Sequence, residues 1–240
     1  MTKPALSVVI PAYNERLRID RTLDRILTFL RCRNTAFEIV LVDDCSRDGT
    51  AEAVLRHGEA EIVTLRLMPH AGKGAAVRCG VMASRGAHVM LTDADLSTPI
   101  EELPRLEALM AEGFDIACGS RALDRSLVVR SQPFYRREMG NIFNVIIRAL
   151  GLTRLRDTQC GFKLYRGDVA REIFTICRTN GFAFDVESLL IATRRGYRTA
   201  EIPVEWSHVP ESRVRLTVDA GRMLWDVLLM RVRLWSERMN

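Results

Sequence analysis

The sequence predicts an α/β fold with a mainly parallel central sheet covered by helices on both faces. Three observations carry that expectation. Short, almost wholly apolar runs alternate with amphipathic helical patterns from residue 6 to residue 119, as expected of a parallel sheet buried on both sides. Polar residues gather where those runs end, at Tyr13-Asn14-Glu15, Asp43-Asp44, Asp93-Ala94-Asp95 and Ser120-Arg121. Ligands of open α/β sheets bind there, outside the carboxyl ends of the strands. Finally, 240 residues with 48% hydrophobic content can bury a full core without disulfide or metal staples.

The elements follow in order. Residues 6–11 (LSVVIP) read as a buried strand, and Ile19, Leu23, Ile26, Leu27 and Leu30 then share one helix face. Residues 38–42 (EIVLV) make a second strand, after which Ser46 is expected to cap a short helix closed near Gly58. Residues 61–65 give a third strand, 72–84 a third helix and 88–92 (HVMLT) a fourth strand. Thr98-Pro99-Ile100-Glu101 has the form of a capping box with proline in the first turn, and Gly113 closes that helix. Residues 115–119 are a fifth strand, and 122–133 read as a loop. Tyr135, Met139, Ile142, Phe143, Ile146 and Leu150 then line a helix face opposed by Arg136, Arg137, Asn141, Asn144 and Arg148. Residues 158–163 (TQCGFK) turn into a strand, 182–194 read as a helix, and 197–208 as one strand or a pair. The last helix, 216–239, carries Leu216, Ala220, Met223, Leu224, Val227, Leu228, Leu234 and Trp235 with Arg222, Arg231, Arg233 and Arg238. No repeat or linker interrupts the chain, so one domain over 1–240 is expected.

Charge and composition narrow the function classes. Net charge is +5, and 32 of the 35 basic residues are arginine. Such a surface suits phosphorylated small molecules, anionic lipid or nucleic acid. Nucleic acid is disfavoured, because aromatics are 7% and no aromatic–basic platform is present. The longest charge-free run, 4–14, is well short of the roughly 20 apolar residues of a membrane span. A surface-attached protein stays open. No leader pattern follows Met1, and six cysteines without C-x-x-C spacing read as idle thiols in a reducing cytosol. The expected location is cytoplasmic, with peripheral attachment to that membrane face.

Asp93-Ala94-Asp95 closes an apolar strand. Side chains at i and i+2 project to one side, so both carboxylates can converge on a hard cation such as Mg²⁺ or Mn²⁺. In Asp43-Asp44-Cys45-Ser46-Arg47-Asp48-Gly49, Asp48 is read as a helix cap. Asp43 is placed to accept hydrogen bonds from a base or a ribose. Gly72-Lys73-Gly74 sets a cation at a helix N-terminus, an anion site without P-loop spacing. No G-x-G-x-x-G follows the first strand, and the four histidines show no ligand spacing.

Taken together, VVIPAYNE (8–15), VDDCSRDGT (42–50), GKGAAVRCG (72–80), DADLSTP (93–99), GSR (119–121) and DTQCGFKLY (157–165) resemble the family 2 glycosyltransferases. These have the GT-A fold, a Rossmann-like nucleotide-binding fold. The strings are most similar to the dolichyl- or polyprenyl-phosphate branch, and FAFDVE (182–187) favours its glucosyltransferase side. The resemblance implies a nucleotide-sugar half at 1–121, an irregular acceptor half at 122–210 and a C-terminal amphipathic helix at 211–240. It implies nucleotide contacts at Pro11, Tyr13, Glu15, Asp43 and Lys73, with Asp93 and Asp95 holding the metal on the diphosphate. Some relatives carry glutamine where this chain has Ser97, which leaves the third ligand open. Arg121, Arg136 and Arg137 match residues holding an acceptor phosphate, and Asp157 the aspartate near the transferred sugar.

The implied reaction is inverting transfer of a hexose, from a UDP-hexose in preference to a GDP-hexose, to a polyprenyl phosphate. A phosphate monoester is largely ionised near neutral pH and needs positioning by arginine rather than a base. The alternative is a soluble relative acting on a sugar or small-molecule hydroxyl, with Asp157 or Asp185 as general base. A nucleotidyltransferase ranks lower, because Ala12-Tyr13-Asn14-Glu15 stands where that class carries a glycine-rich loop.

Overall fold

Six of the seven residues of Leu6–Ala12 (β1) are buried, and this strand lies inside a seven-stranded sheet, third from one edge. Its alternate side chains serve opposite faces. Val8 and Ile10 pack with helix Ile19–Arg31 (α1), and Val9 packs with helix Lys73–Ala83 (α3). The computed structural model describes residues 3–130, 133–149, 155–209 and 216–236, without the side chains of 135–137, 141, 216–220, 231–232 and 234–236.

Phe37–Asp43 (β2) and Ile62–Arg66 (β3) extend the sheet in parallel on one side of β1, and His88–Leu91 (β4) pairs in parallel on the other. Sheet growth therefore reverses between β1 and β4, the switch point at which a ligand crevice opens. Ile116–Ser120 (β5), Val128–Arg130 (β6), Lys163–Arg166 (β7) and Thr199–Pro203 (β8) follow, giving the sheet order β3-β2-β1-β4-β7-β5-β8. Only β7 runs antiparallel to its neighbours, so the sheet is mainly parallel, as predicted. Helices Thr50–His57 (α2) and Leu103–Ala111 (α4) join α1 on one face. Gly167–Ile176 (α6) and Phe184–Arg195 (α7) join α3 on the other. Phe134–Ala149 (α5) and Leu216–Ser236 (α8) pack outside α7 through Ile147, Val186, Leu190, Met223 and Val227.

Several local expectations are corrected. Ser46 does not cap α2; its hydroxyl accepts from the Asn14 amide at 2.8 Å, while Asp48 accepts from the Thr50 amide at 3.0 Å. The capping box does not form. A 3-10 turn at Ile100–Glu102 precedes α4, Glu101 pairs with Arg25, and the Thr98 hydroxyl lies by the Cys160 sulfur. The predicted loop at 122–133 contains a 3-10 turn at Arg125–Leu127 and β6, which pairs with Trp206–Ser207 (β9). Residues 197–208 therefore split between two sheets. Helix α6 lay unrecognised behind Gly167, because it starts directly from β7 with no loop between. Finally, α5 is rotated from its predicted face. Asn144 is buried, accepting hydrogen bonds from the amide and hydroxyl of Thr158, while Ile142 is 59% exposed. The side chains of Tyr135, Arg136, Arg137 and Asn141, and Leu150 as a whole, lie outside the described residues.

Candidate active site

The carboxyl ends of β1, β2 and β4 gather the predicted polar residues around the switch point. Tyr13 leaves β1, which contributes the half-buried Pro11, and stacks on His70 with ring centroids 4.3 Å apart. Asn14, in the left-handed region at φ 55°, accepts from the Arg47 amide, and the Glu15 amide donates to the Thr50 hydroxyl. These bonds stitch the loop after β1 to the loop after β2. The Glu15 carboxylate pairs at 2.7 Å with Arg18, the residue that precedes α1.

Asp43 closes β2 and Asp44 follows it. Asp43, predicted to meet a base, is fully buried, bonded to the Ser46 amide and paired with Arg66 at 3.2 Å. Asp44 accepts from the amides of Ala71 and Gly72 at 2.7 and 2.8 Å and pairs with His70. Its carboxylate thus fixes the loop that delivers Lys73.

Gly72-Lys73-Gly74 is not a free anion site, as the pattern alone implied. Asn180 O accepts from the Gly74 amide at 2.7 Å, and a Cβ on Gly72 or Gly74 would strike the backbone of Asn180 or Thr179. That neighbouring loop is itself held by the buried Glu187, which accepts from the amides of Arg178 and Thr179. The group left to meet an anion is the Lys73 ammonium. It sits 2.7 Å from Asp93 Oδ1 and 5.9 Å from the centre of the Phe184 ring. Burial would lower its pKa, yet the carboxylates of Asp93, Asp185 and Asp95 hold it above the ordinary value.

Asp93 and Asp95 follow β4 together. Burial would raise the Asp93 carboxyl, but Lys73, Lys163 and Arg121 hold it below its usual range. Burial and the adjacent Asp93 push Asp95 upward, against the Ser97 amide that donates to it at 2.9 Å. Ser97 thus serves Asp95 through both its backbone amide and its hydroxyl. Among the described residues no group of three His, Cys, Asp or Glu side chains could hold a metal ion. The two carboxylates nonetheless offer hard oxygen donors of the kind that Mg²⁺ and Mn²⁺ take.

Neither carboxylate considered as a general base is free. Asp157 is bound by Arg121 in bidentate fashion, at 2.7 and 2.8 Å, and by the Arg121 amide at 3.0 Å. Burial alone would raise its pKa, but Arg121 lowers it to about 2. The guanidinium also lies 5.6 Å from the Trp206 ring centre. Asp185 is buried and bonded to the Lys163 ammonium at 2.5 Å. The partner of Lys163 was not legible in the sequence: a wholly buried lysine needs an acid, and Asp185 of FDVE supplies it. Gly161 also escaped notice, although a Cβ there would come within 2.2 Å of Asp93 Oδ2.

Comparison with known proteins accords with this geometry. The pattern of Glycosyl transferase family 2 matches residues 7–174. The chain is 34% identical to the dolichyl-phosphate beta-glucosyltransferase of Dictyostelium discoideum, over 95% of this chain and 74% of that protein. Against the dolichyl-phosphate beta-glucosyltransferase of Homo sapiens identity is 32%, over 95% of this chain and 75% of that one. Among solved structures, glucosyl-3-phosphoglycerate synthase from Mycobacterium tuberculosis in complex with Mn²⁺ and uridine-diphosphate-glucose superposes with a TM-score of 0.70 at 19% identity, covering 95% and 79% of the two chains. Mannosyl-3-phosphoglycerate synthase from Rubrobacter xylanophilus gives a TM-score of 0.69 at 18% identity, covering 98% and 75%. The fold is thus that of the GT-A glycosyltransferases. With a family pattern over most of its length and relatives above 30% identity, this chain belongs to glycosyl transferase family 2 and is a glycosyltransferase.

Proposed function

We propose that the chain transfers glucose from UDP-glucose to the phosphate of a polyprenyl phosphate, with inversion at the anomeric carbon. The observation that carries this reading is that Asp157 and Asp185 are both locked to cations, Arg121 and Lys163. A hydroxyl acceptor needs a free base; Arg121 holds Asp157 at about 2, and Asp185, although burial pushes its carboxyl up, has Oδ1 taken by the Lys163 ammonium. An acceptor phosphate arrives already ionised. That the Dictyostelium and human relatives are dolichyl-phosphate beta-glucosyltransferases supports the same acceptor and sugar.

In this reading Tyr13, with Asp44 organising the loop opposite, borders the nucleotide end of the crevice. An oxygen of the acceptor phosphate attacks the anomeric carbon as the bond to the diphosphate oxygen breaks, and UDP departs carrying the electron pair. Lys73 meets the charge growing on the diphosphate. Asp93 and Asp95 would hold Mg²⁺ or Mn²⁺, which supplies Lewis-acid stabilisation of the leaving group. Arg136 and Arg137, at the start of α5, are proposed to hold the acceptor phosphate. Arg121, fixed by Asp157, is proposed to add positive charge for the same phosphate.

A lipid acceptor requires access to a membrane surface. No described helix is long and apolar enough to cross a bilayer. Helices α5 and α8 nevertheless expose Phe134, Ile142, Val145, Trp225, Leu228 and Leu229, an apolar exterior suited to peripheral docking. All six cysteines are unpaired, which accords with the cytoplasmic face. The test is incubation with radiolabelled UDP-glucose and polyprenyl phosphate in detergent. Label should pass into organic solvent; label confined to water-soluble sugar acceptors would refute the lipid acceptor.

A further inference from the structure

The geometry points to Lys163 and Asp185 as a buried positioning pair that sets the Asp93 carboxylate by clamping the Cys160–Gly161 turn against it. Lys163 is wholly enclosed at the start of β7, and Asp185 is 5% exposed in the first turn of α7. The ammonium donates to Asp185 Oδ1 at 2.5 Å and to the Cys160 carbonyl at 2.6 Å. The second bond fixes the turn ahead of β7. In that turn Gly161 abuts one Asp93 oxygen so closely that a methyl group would lie 2.2 Å from it. The other Asp93 oxygen is held by Lys73, whose ammonium rests over Phe184, the residue before Asp185. Both supports of Asp93 therefore lead back to the same pair.

The charges reinforce the contacts. Lys163 attracts the Asp93 carboxylate through space, and Asp185 attracts the Lys73 ammonium. Folding alone does not require ions here, because a well-packed apolar pair often replaces a buried ion pair without loss of stability. Removing one ion strands the other. Stability and positioning can therefore be separated by mutation.

This inference rests on the proposed reading of Asp93, and its test proceeds without an acceptor as well as with one. Lys163→Met alone should lower Tm by roughly 10 °C, and adding Asp185→Leu should recover most of that loss. The refolded double variant should still lose about 100-fold in kcat, with the KM for UDP-glucose raised about tenfold and that for the acceptor changed less than about threefold. Gly161→Ala, which leaves the ion pair intact, should fold normally and show the same split. UDP affinity in the presence of Mn²⁺, read by calorimetry, should fall at least about tenfold in both. Parental kcat and UDP affinity in Gly161→Ala, or in a folded double variant, overturn the positioning role. If the double variant does not fold, Gly161→Ala decides. Should the unmodified chain transfer no sugar to any lipid phosphate, the function fails and the calorimetric comparison still judges the pair.

Discussion

Asp93 and Asp95 stand two residues apart, yet their carboxyl groups shift in opposite directions. Lys73 occupies one oxygen of Asp93 and, against burial, holds that group down; Asp95 has burial and Asp93 working against it, and the Ser97 hydrogen bonds and the more distant Lys73 do not offset them. The second aspartate is thus the one most in need of a cation. Asp95→Ala should reduce transfer by at least about 1,000-fold, on the scale of losing a principal electrostatic stabiliser, and should abolish the Mn²⁺ enhancement of UDP binding seen by calorimetry. Unchanged Mn²⁺ dependence would remove Asp95 from the site. Asp157 gives a prediction in pH. Its pKa is held at about 2, below the ordinary 3.8. A carboxyl depressed on folding contributes stability above its unfolded pKa and loses it as pH falls toward the folded one. Between pH 4 and 2 that contribution, about 2 kcal/mol, should disappear. Asp157→Asn should flatten this limb of the denaturant-midpoint profile while lowering stability at neutral pH, because Arg121 is then left without its counter-ion.

At the scale of elements, buried polar groups hold together what apolar packing alone leaves adjustable. Glu38 on β2 accepts the Ser7 hydroxyl of β1 at 2.6 Å, together with the Arg85 amide and two guanidinium hydrogen bonds. Ser7 in turn accepts from the Gly86 amide, so one carboxylate ties β1 and β2 to the approach of β4. Glu38→Ala should cost about 3 kcal/mol and lower Tm by roughly 6–12 °C, as followed by circular dichroism. Glu38→Gln should recover part of the loss. Such junctions explain how much of the fold could be read in advance. The first five strands and α1 were legible because parallel strands are apolar throughout and Ile19, Leu23, Ile26 and Leu30 keep helical spacing; all four of these side chains are buried. The antiparallel sense of β7 was not, since an apolar run carries no direction. Asn144 misled because its partner, Thr158, lies fourteen residues away. The D-x-D and Lys73 were visible as patterns at strand and helix ends. Their pairing with each other, and the roles of Asp44 and Gly161, depend on loops brought together from distant parts of the chain.

For the whole molecule, the proposed lipid acceptor and the outer layer of the fold make a joint demand. Helix α8 turns Met223, Val227 and Met230 inward, and leaves Leu224, Trp225, Leu228 and Leu229 between 37% and 63% exposed. The predicted single apolar face is therefore two. One builds the core with α5 and α7; the other has no partner among the described residues. Exposed arginines flank it, Arg148 on α5 and Arg222 on α8, and the chain carries a net +5. An anionic bilayer would engage both kinds of group, and salt separates their contributions. Electrostatic attraction falls steeply between about 0.05 and 0.5 M salt, whereas burial of Trp225 and the leucines does not weaken over that range. In cosedimentation with vesicles rich in anionic lipid, the protein should bind less at high salt while retaining a resistant fraction. Changing Leu224, Trp225 and Leu228 together to serine should remove that fraction and weaken binding by about 100-fold or more, since each lost side chain contributes on the order of 1 kcal/mol when partly buried. Transfer to a short, water-soluble prenyl phosphate should remain within about twofold of the parent, because these residues lie on the outer surface of the α5–α8 layer. Full vesicle binding by the triple variant would show that the apolar exterior of α8 does not face the membrane. Equal loss with short and long acceptors would mean that the substitutions disturb the crevice itself.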